Sequence, residues 1–144
     1  MTTEIIVKYF EAWKCANSEP EYASEILINI FAADSIYRVK PGQEEHVGIN
    51  NIIRYWLNNP GQQLHSAPHI IDGFTNLEGD KYFCEFENKF EVNVNNSSRI
   101  KITRGMILFK FQPVHENEIK IIELREYYRS EILDRCQVIP ESLC

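Results

Sequence analysis

Hydrophobic spacing changes period once along this chain, near Gly61, and no single type of secondary structure satisfies both halves. Ahead of that point Ile6, Tyr9, Phe10 and Trp13 fall at i, i+3, i+4 and i+7, which lays an apolar stripe along one side of a helix. Behind it Tyr82, Cys84, Phe86, Phe90 and Val92 alternate with Glu85, Glu87, Lys89 and Glu91, the pattern of a strand with one dry face and one wet face. The chain therefore reads as α+β, with its helices gathered in the N-terminal part. Asn88 interrupts the dry row.

The first stripe predicts a helix over residues 4–16. Ser18, Pro20 and Glu21 then read as a capping box opening a second helix, with Ile26, Leu27, Ile30 and Phe31 inward. After Asp34 the run Ser35 to Val39 predicts a short strand, and Pro41 and Gly42 break it. Ile49, Ile52, Ile53 and Trp56 restore helical spacing until Asn58-Asn59-Pro60-Gly61 stops it. Strands are predicted at 64–77, 81–95, 99–112 and 118–129, joined by links short enough for antiparallel neighbours. At 144 residues and 44% hydrophobic, the chain has the size and composition of one domain. That domain is set at 1–130, leaving 131–144 as a tail whose Ile132, Leu133, Val138 and Ile139 need cover.

A net charge of -6 and the lack of any basic run exclude nucleic acid as an expected partner, because phosphate binding draws on clustered Lys and Arg. The N-terminal MTTEIIVKYFEAWKC lacks the charged, apolar and small-residue order of a secretion leader, and no stretch approaches a membrane span. Cys15, Cys84, Cys136 and Cys144 are widely spaced with no CxxC pair. They read as reduced thiols in a cytoplasmic protein rather than as a disulfide framework or zinc site.

Four pieces of punctuation come in a particular order: Phe31-Ala32-Ala33-Asp34, then Gly48 ahead of INNIIRYW, then Glu78-Gly79-Asp80, then IIELREYY at 121–128. Together with the αα-β-α-ββββ order, they resemble the nuclear transport factor 2-like superfamily, in its SnoaL-like branch with polyketide cyclases and ketosteroid isomerase. The resemblance implies a cone: a strongly curved antiparallel sheet wrapped around three N-terminal helices, with a pocket at the open end. It implies no cofactor. Gly48 and Asp34 take structural readings, since glycine tolerates unusual backbone geometry and aspartate caps or turns the chain.

Ketosteroid isomerases remove a proton beside a carbonyl with an Asp base and steady the enolate with a Tyr and a protonated Asp. In the comparison Tyr9 matches the Tyr, but the base position falls on Val39 and the protonated Asp on Ile107. Two of three groups are missing, so steroid isomerisation is not expected. The same comparison turns Leu124, Glu126 and Tyr128 inward and Glu123, Arg125 and Tyr127 outward. An acid in an apolar pocket is a candidate proton carrier. The alternative pairs Glu126 with Arg104, Arg125 or Arg129, or leaves it at the rim in water. His69 in HSAPHIID is the second catalytic candidate by resemblance to dehydratase and cyclase members, against the reading of an exposed strand histidine. His46 and His115 read as solvated loop residues.

Trp13, Tyr37 and Trp56 are candidates to bring aromatic surface to a ligand, or are simply core. Asn88, the amide in the dry row, needs a partner from protein, water or ligand. These candidates give a pocket for a small hydrophobic molecule, with cofactor-free acid/base chemistry of isomerase, dehydratase or cyclase type. A noncatalytic binding or interaction module is the alternative. Met106 and Leu108, between Arg104 and Lys110 on the outer sheet face, predict a homodimer.

Overall fold

Alternate residues of one long strand decide which way the sheet faces. Cys84, Phe86, Asn88 and Phe90 are buried, while Glu85 and Lys89 between them are exposed. Each large apolar side chain removed from water contributes about 1.5–3 kcal/mol, so a register slip of one residue would turn the whole row outward at prohibitive cost.

The computed structural model describes residues 2–58 and 67–133. Its elements are α1 (Thr2–Cys15), α2 (Pro20–Ile30), β1 (Phe31–Val39), β2 (Glu44–Val47), α3 (Ile49–Asn58), β3 (Ala67–Thr75), β4 (Lys81–Val94), β5 (Ser97–His115) and β6 (Glu118–Leu133). The strands form one sheet in the order β2-β1-β6-β5-β4-β3. β3 to β6 make the expected antiparallel run. β1 adds to it in parallel with β6, so the sheet is mixed. Tyr9 of α1, Leu27 of α2 and Trp56 of α3 meet Phe86, Phe109 and Leu124 of the sheet in one core. The fold is the α+β architecture expected from the change of period, in the cone-like form that the resemblance implies.

Two local features shape the sheet. Asn95 and Asn96 both have positive φ, 51° and 64°, the pair of left-handed residues that a two-residue hairpin turn requires. Gly105 on β5 lies opposite Tyr128 of β6. A Cβ there would stand 1.9 Å from the Tyr127 carbonyl oxygen, so β5 and β6 come this close only because residue 105 has no side chain.

Several local expectations change. The N-cap of α2 is Glu19 and makes no side-chain capping bond, so Ser18 and Glu21 form no capping box; Pro20 does take the first turn. β1 begins at Phe31 rather than Ser35, directly where α2 ends. Glu44–Val47, read as an acidic loop, is an edge strand pairing with β1, because Lys40 (φ 45°) and Gly42 (φ 94°) turn the chain back. Strand pairing there overrides a sequence with little intrinsic β preference. The first residues of the strand predicted from 64 lie outside the described residues, as do 134–144. β6 runs to Leu133, into the segment read as a tail.

Candidate functional site

The cone's polar groups sit in register. Asn88 of β4 lies opposite Thr103 of β5, and Thr103 lies opposite Ser130 of β6. Because these residues face each other across neighbouring strands, one polar row crosses the otherwise apolar inner face. The Thr103 and Ser130 hydroxyls are bonded at 2.8 Å. Four residues before Ser130 on the same face comes Glu126, flanked in register by Val39 of β1 and Ile107 of β5. Asn88 is 2% exposed and Glu126 6%.

Tyr37, two residues before Val39, donates its hydroxyl to Glu126 Oε2. The backbone of Glu126 is also fixed, its carbonyl accepting from the Lys40 amide at 2.7 Å. Burial pushes the Glu126 carboxyl up to about 7, and the Tyr37 bond, which favours the charged form, opposes that rise. Burial and then the neighbouring Glu126 charge raise Tyr37 well above the ordinary tyrosine value. Glu126 makes no ion pair among the described residues, so the arginine pairing considered for it does not occur.

These groups surround a cavity of about 70 Å³. Tyr37, Asn88, Thr103, Glu126 and Ser130 supply its polar wall, and Trp13, Tyr55, Phe90 and Tyr128 its aromatic one, with Lys101 at its edge. The cavity is narrower and more polar than a slot for a flat hydrophobic compound. Tyr55 and Tyr128 also line an open outer groove of about 640 Å³ with Glu44, His46 and Asn51, so these two rings stand between groove and cavity.

Five of the eight residues singled out in the sequence therefore line one cavity: Trp13, Tyr37, Asn88, Glu126 and Tyr128. Three do not. Tyr9 is fully buried among the rings of Phe10, Trp13, Phe31, Trp56 and Phe109. Its hydroxyl lies toward Tyr37 without forming a hydrogen bond of good geometry. Trp56 belongs to the same buried layer beneath the cavity. His69 stands on the outer face opposite Glu87, its side chain 57% exposed and 3.9 Å from that carboxylate, because the β3–β4 register aligns it with the wet row.

The histidine near the mouth is His46. It lies opposite Tyr37 on β2 and packs against Tyr55 at 4.1 Å between ring centroids, so it is not the solvated loop residue expected. Thr103, Ser130 and Tyr55 were also missed. Once β4 and β5 are set in register, the position of Asn88 points to Thr103, but their pairing is not printed in the sequence. Among the described residues no cluster of three His, Cys, Asp or Glu could hold a metal ion.

No protein-family profile matches the sequence, and no curated protein matches it. Solved structures do. A candidate SnoaL-like polyketide cyclase from Jannaschia sp. CCS1 superposes with a TM-score of 0.67 at 11% identity, over 90% of this chain and 84% of that one. A second, from Shewanella putrefaciens CN-32, gives 0.66 at 16% identity over 88% of each chain. A protein of ketosteroid isomerase-like fold from Catenulispora acidiphila DSM 44928, solved in complex with trimethylamine, gives 0.61 at 16% identity over 87% of this chain and 85% of that one. Among the described residues the six-stranded mixed sheet and three helices make a nuclear transport factor 2-like fold, the fold that these SnoaL-like and ketosteroid isomerase-like structures have.

Proposed function

We propose that this chain is a SnoaL-like protein that binds a small molecule with apolar surface and moves a proton on it without a cofactor, Glu126 being the group that takes or gives the proton. One observation carries the reading: a buried carboxyl, raised to about 7 and held by the Tyr37 hydroxyl, lines a cavity that also presents Asn88, Thr103 and Ser130. A base with that pKa is half ionised near neutrality, where proton transfer in either direction is least uphill. The Asn88 amide and the hydroxyls of Thr103 and Ser130 are placed to hydrogen-bond an oxygen on which charge develops as the proton leaves. The chemistry is of isomerase, dehydratase or cyclase type. The free thiols of Cys15 and Cys84 support a cytoplasmic setting.

The test is deuterium incorporation from heavy water beside the carbonyl of a panel of small ketones and aldehydes, followed by proton NMR. Wild type should exchange at a rate that rises with pH through about 7, and Glu126→Gln should lose the enzyme-dependent part. Exchange unaffected by Glu126→Gln would remove the proposal's basis. A second reading, a noncatalytic binding module that dimerises through the outer sheet face, is favoured by Val39 and Ile107, which place hydrocarbon on both sides of Glu126. It predicts ligand binding with no exchange on any compound of the panel.

A further inference from the structure

We propose that the ligand of this cavity is a small protonated amine, its charge held by the Glu126 carboxylate and its alkyl groups by the surrounding aromatic side chains. The inference rests on the reading of Glu126 as the working group of the cavity and names the ligand that its carboxylate would hold when it is not moving a proton on a carbonyl compound. Three observations lead to it. The carboxyl is 6% exposed, and its only hydrogen-bond partner among the described residues is a neutral hydroxyl. A buried carboxylate without a countercharge is held at a cost, which a cationic ligand would offset.

The second observation is the nature of the walls. Trp13, Tyr37, Tyr55, Phe90 and Tyr128 put five aromatic side chains in the wall of the cavity that Glu126 lines, and rings attract cations through their electron-rich faces. The protein's own ammonium groups already use two of them: Lys40 Nζ lies 4.6 Å from the centroid of Tyr128, and Lys101 Nζ 5.7 Å from that of Phe90. The third is size and polarity. A cavity of about 70 Å³ admits a group of a few heavy atoms, and the oxygens of Asn88, Thr103 and Ser130 can accept the N–H bonds of an ammonium that Glu126 does not take.

The pH response follows from the groups that face Glu126. Tyr9 of α1, Tyr37 of β1, Tyr55 of α3 and Tyr128 of β6 are all raised by burial and remain neutral through pH 8, as does Cys84 of β4, pushed up to about 12. The other charged or titratable side chains around the site are Glu44 of β2, which acts on Tyr55 and Tyr128, His46 of β2, which packs against Tyr37 and Tyr55, Lys40, which lies over Tyr128, and Lys101 of β5, which lines the cavity. Glu126 gains charge between pH 6 and pH 8, and a cation that binds its ionised form should tighten about tenfold over that interval.

The experiment is calorimetric titration of the full chain with isopropylammonium chloride and with isopropanol, which differ in charge and little in shape, at pH 6 and pH 8. Isopropylammonium should bind at least about tenfold tighter than isopropanol at pH 8, with an advantage that shrinks at pH 6 and disappears in Glu126→Gln. Because the wild-type comparison needs no variant, a poorly folded mutant does not spoil it. Equal binding of both compounds, or binding of neither, overturns the ligand class. The ionisation of Glu126, read by carboxyl carbon NMR, separates the two failures. A midpoint near 7 without ammonium preference sinks this inference alone, whereas a carboxyl already ionised at pH 5 sinks the reading beneath it as well.

Discussion

The Tyr37 hydroxyl on β1 donates to the Glu126 carboxylate on β6, across the parallel strand pair of the sheet. An O–H donated to a carboxylate favours its ionised form, so the bond holds down a pKa that burial would otherwise take higher. Tyr37→Phe should therefore raise the Glu126 midpoint above about 7. The loss of one charge-assisted bond corresponds to roughly one to two pKa units. A carboxyl titration followed by carbon NMR checks this, and a midpoint that falls or stays put would show that Tyr37 does not tune Glu126.

The same carboxyl makes stability depend on pH. In the unfolded chain a glutamate ionises near 4.3, but in the folded protein Glu126 keeps its proton to about 7. Between those values the native state binds more protons, so this group's contribution to stability falls as pH rises from about 4.3 to about 7 and is level above that. The loss is of order 3 kcal/mol at pH 8. Glu126→Gln removes the titration, so denaturant unfolding should find the variant less sensitive to pH than wild type across this window and more stable than it at pH 8. A variant that follows the wild-type profile would assign the dependence to another group.

Gly105 tests the sheet that carries the site. With the Tyr127 oxygen 1.9 Å from where its Cβ would be, Gly105→Ala cannot be absorbed by a rotamer change, since the obstacle is backbone. The strands must part beside Tyr128, at a cost of at least about 3 kcal/mol. Chemical denaturation should show that loss, while Gly42→Ala, with open space around it though a left-handed backbone, should lose about 1 kcal/mol or so. Equal effects at the two positions would mean that the close approach of β5 and β6 is not tightly held.

The helices and strands were legible because their signals are local, and the cone came from the resemblance. The stripe through Tyr9 and Trp13 and the alternation through Phe86 and Phe90 need only neighbouring residues to be read, and they gave the helices, the strands and their inward faces. Asn88 followed, since facing is inherited along a strand, whereas the inward side of Glu126 came from the resemblance to ketosteroid isomerases. What depends on register between strands was not legible. Alternation alone leaves open which side His69 takes, and only the pairing of β3 with β4 decides that it joins Glu87 on the wet side. His46 gave the opposite error: a short edge strand with weak intrinsic preference forms because β1 offers it an unpaired edge, and this carries the imidazole onto Tyr55. Tyr9 and Trp56 have the spacing of both core and pocket residues, and only packing distinguishes the two.

Steroid isomerisation should be absent. The strand positions on either side of Glu126 are the buried hydrocarbons Val39 and Ile107, leaving a single carboxylate where enolate chemistry on an enone uses a base and a separate acid. A cavity of about 70 Å³ also leaves no room for a fused ring system. Spectrophotometric assay of a steroid enone at high enzyme concentration should show no isomerisation above buffer. Isomerisation that Tyr9→Phe abolishes would place the reacting centre beside Tyr9 rather than in the cavity described.

The outer face of the sheet makes a separate prediction about assembly. Phe74, Phe83 and Leu108 lie in register across β3, β4 and β5, with the first two rings 5.6 Å apart, and Met106 extends the patch toward Tyr127. Phe74 is 65% exposed and Met106 40%. Apolar side chains gathered on one face gain by meeting their own copy about a two-fold axis, and Arg104, already paired with Glu87 at 2.7 Å, supplies a polar margin that need not be stripped of its partner. We propose a homodimer through this face. Light scattering at micromolar concentration should give twice the chain mass of 16.9 kDa. The double change Phe74→Glu with Met106→Glu should weaken association at least about 100-fold, because it buries like charges in a dry contact, while leaving the circular dichroism of the monomer intact. A wild-type mass of one chain under the same conditions would rule the dimer out.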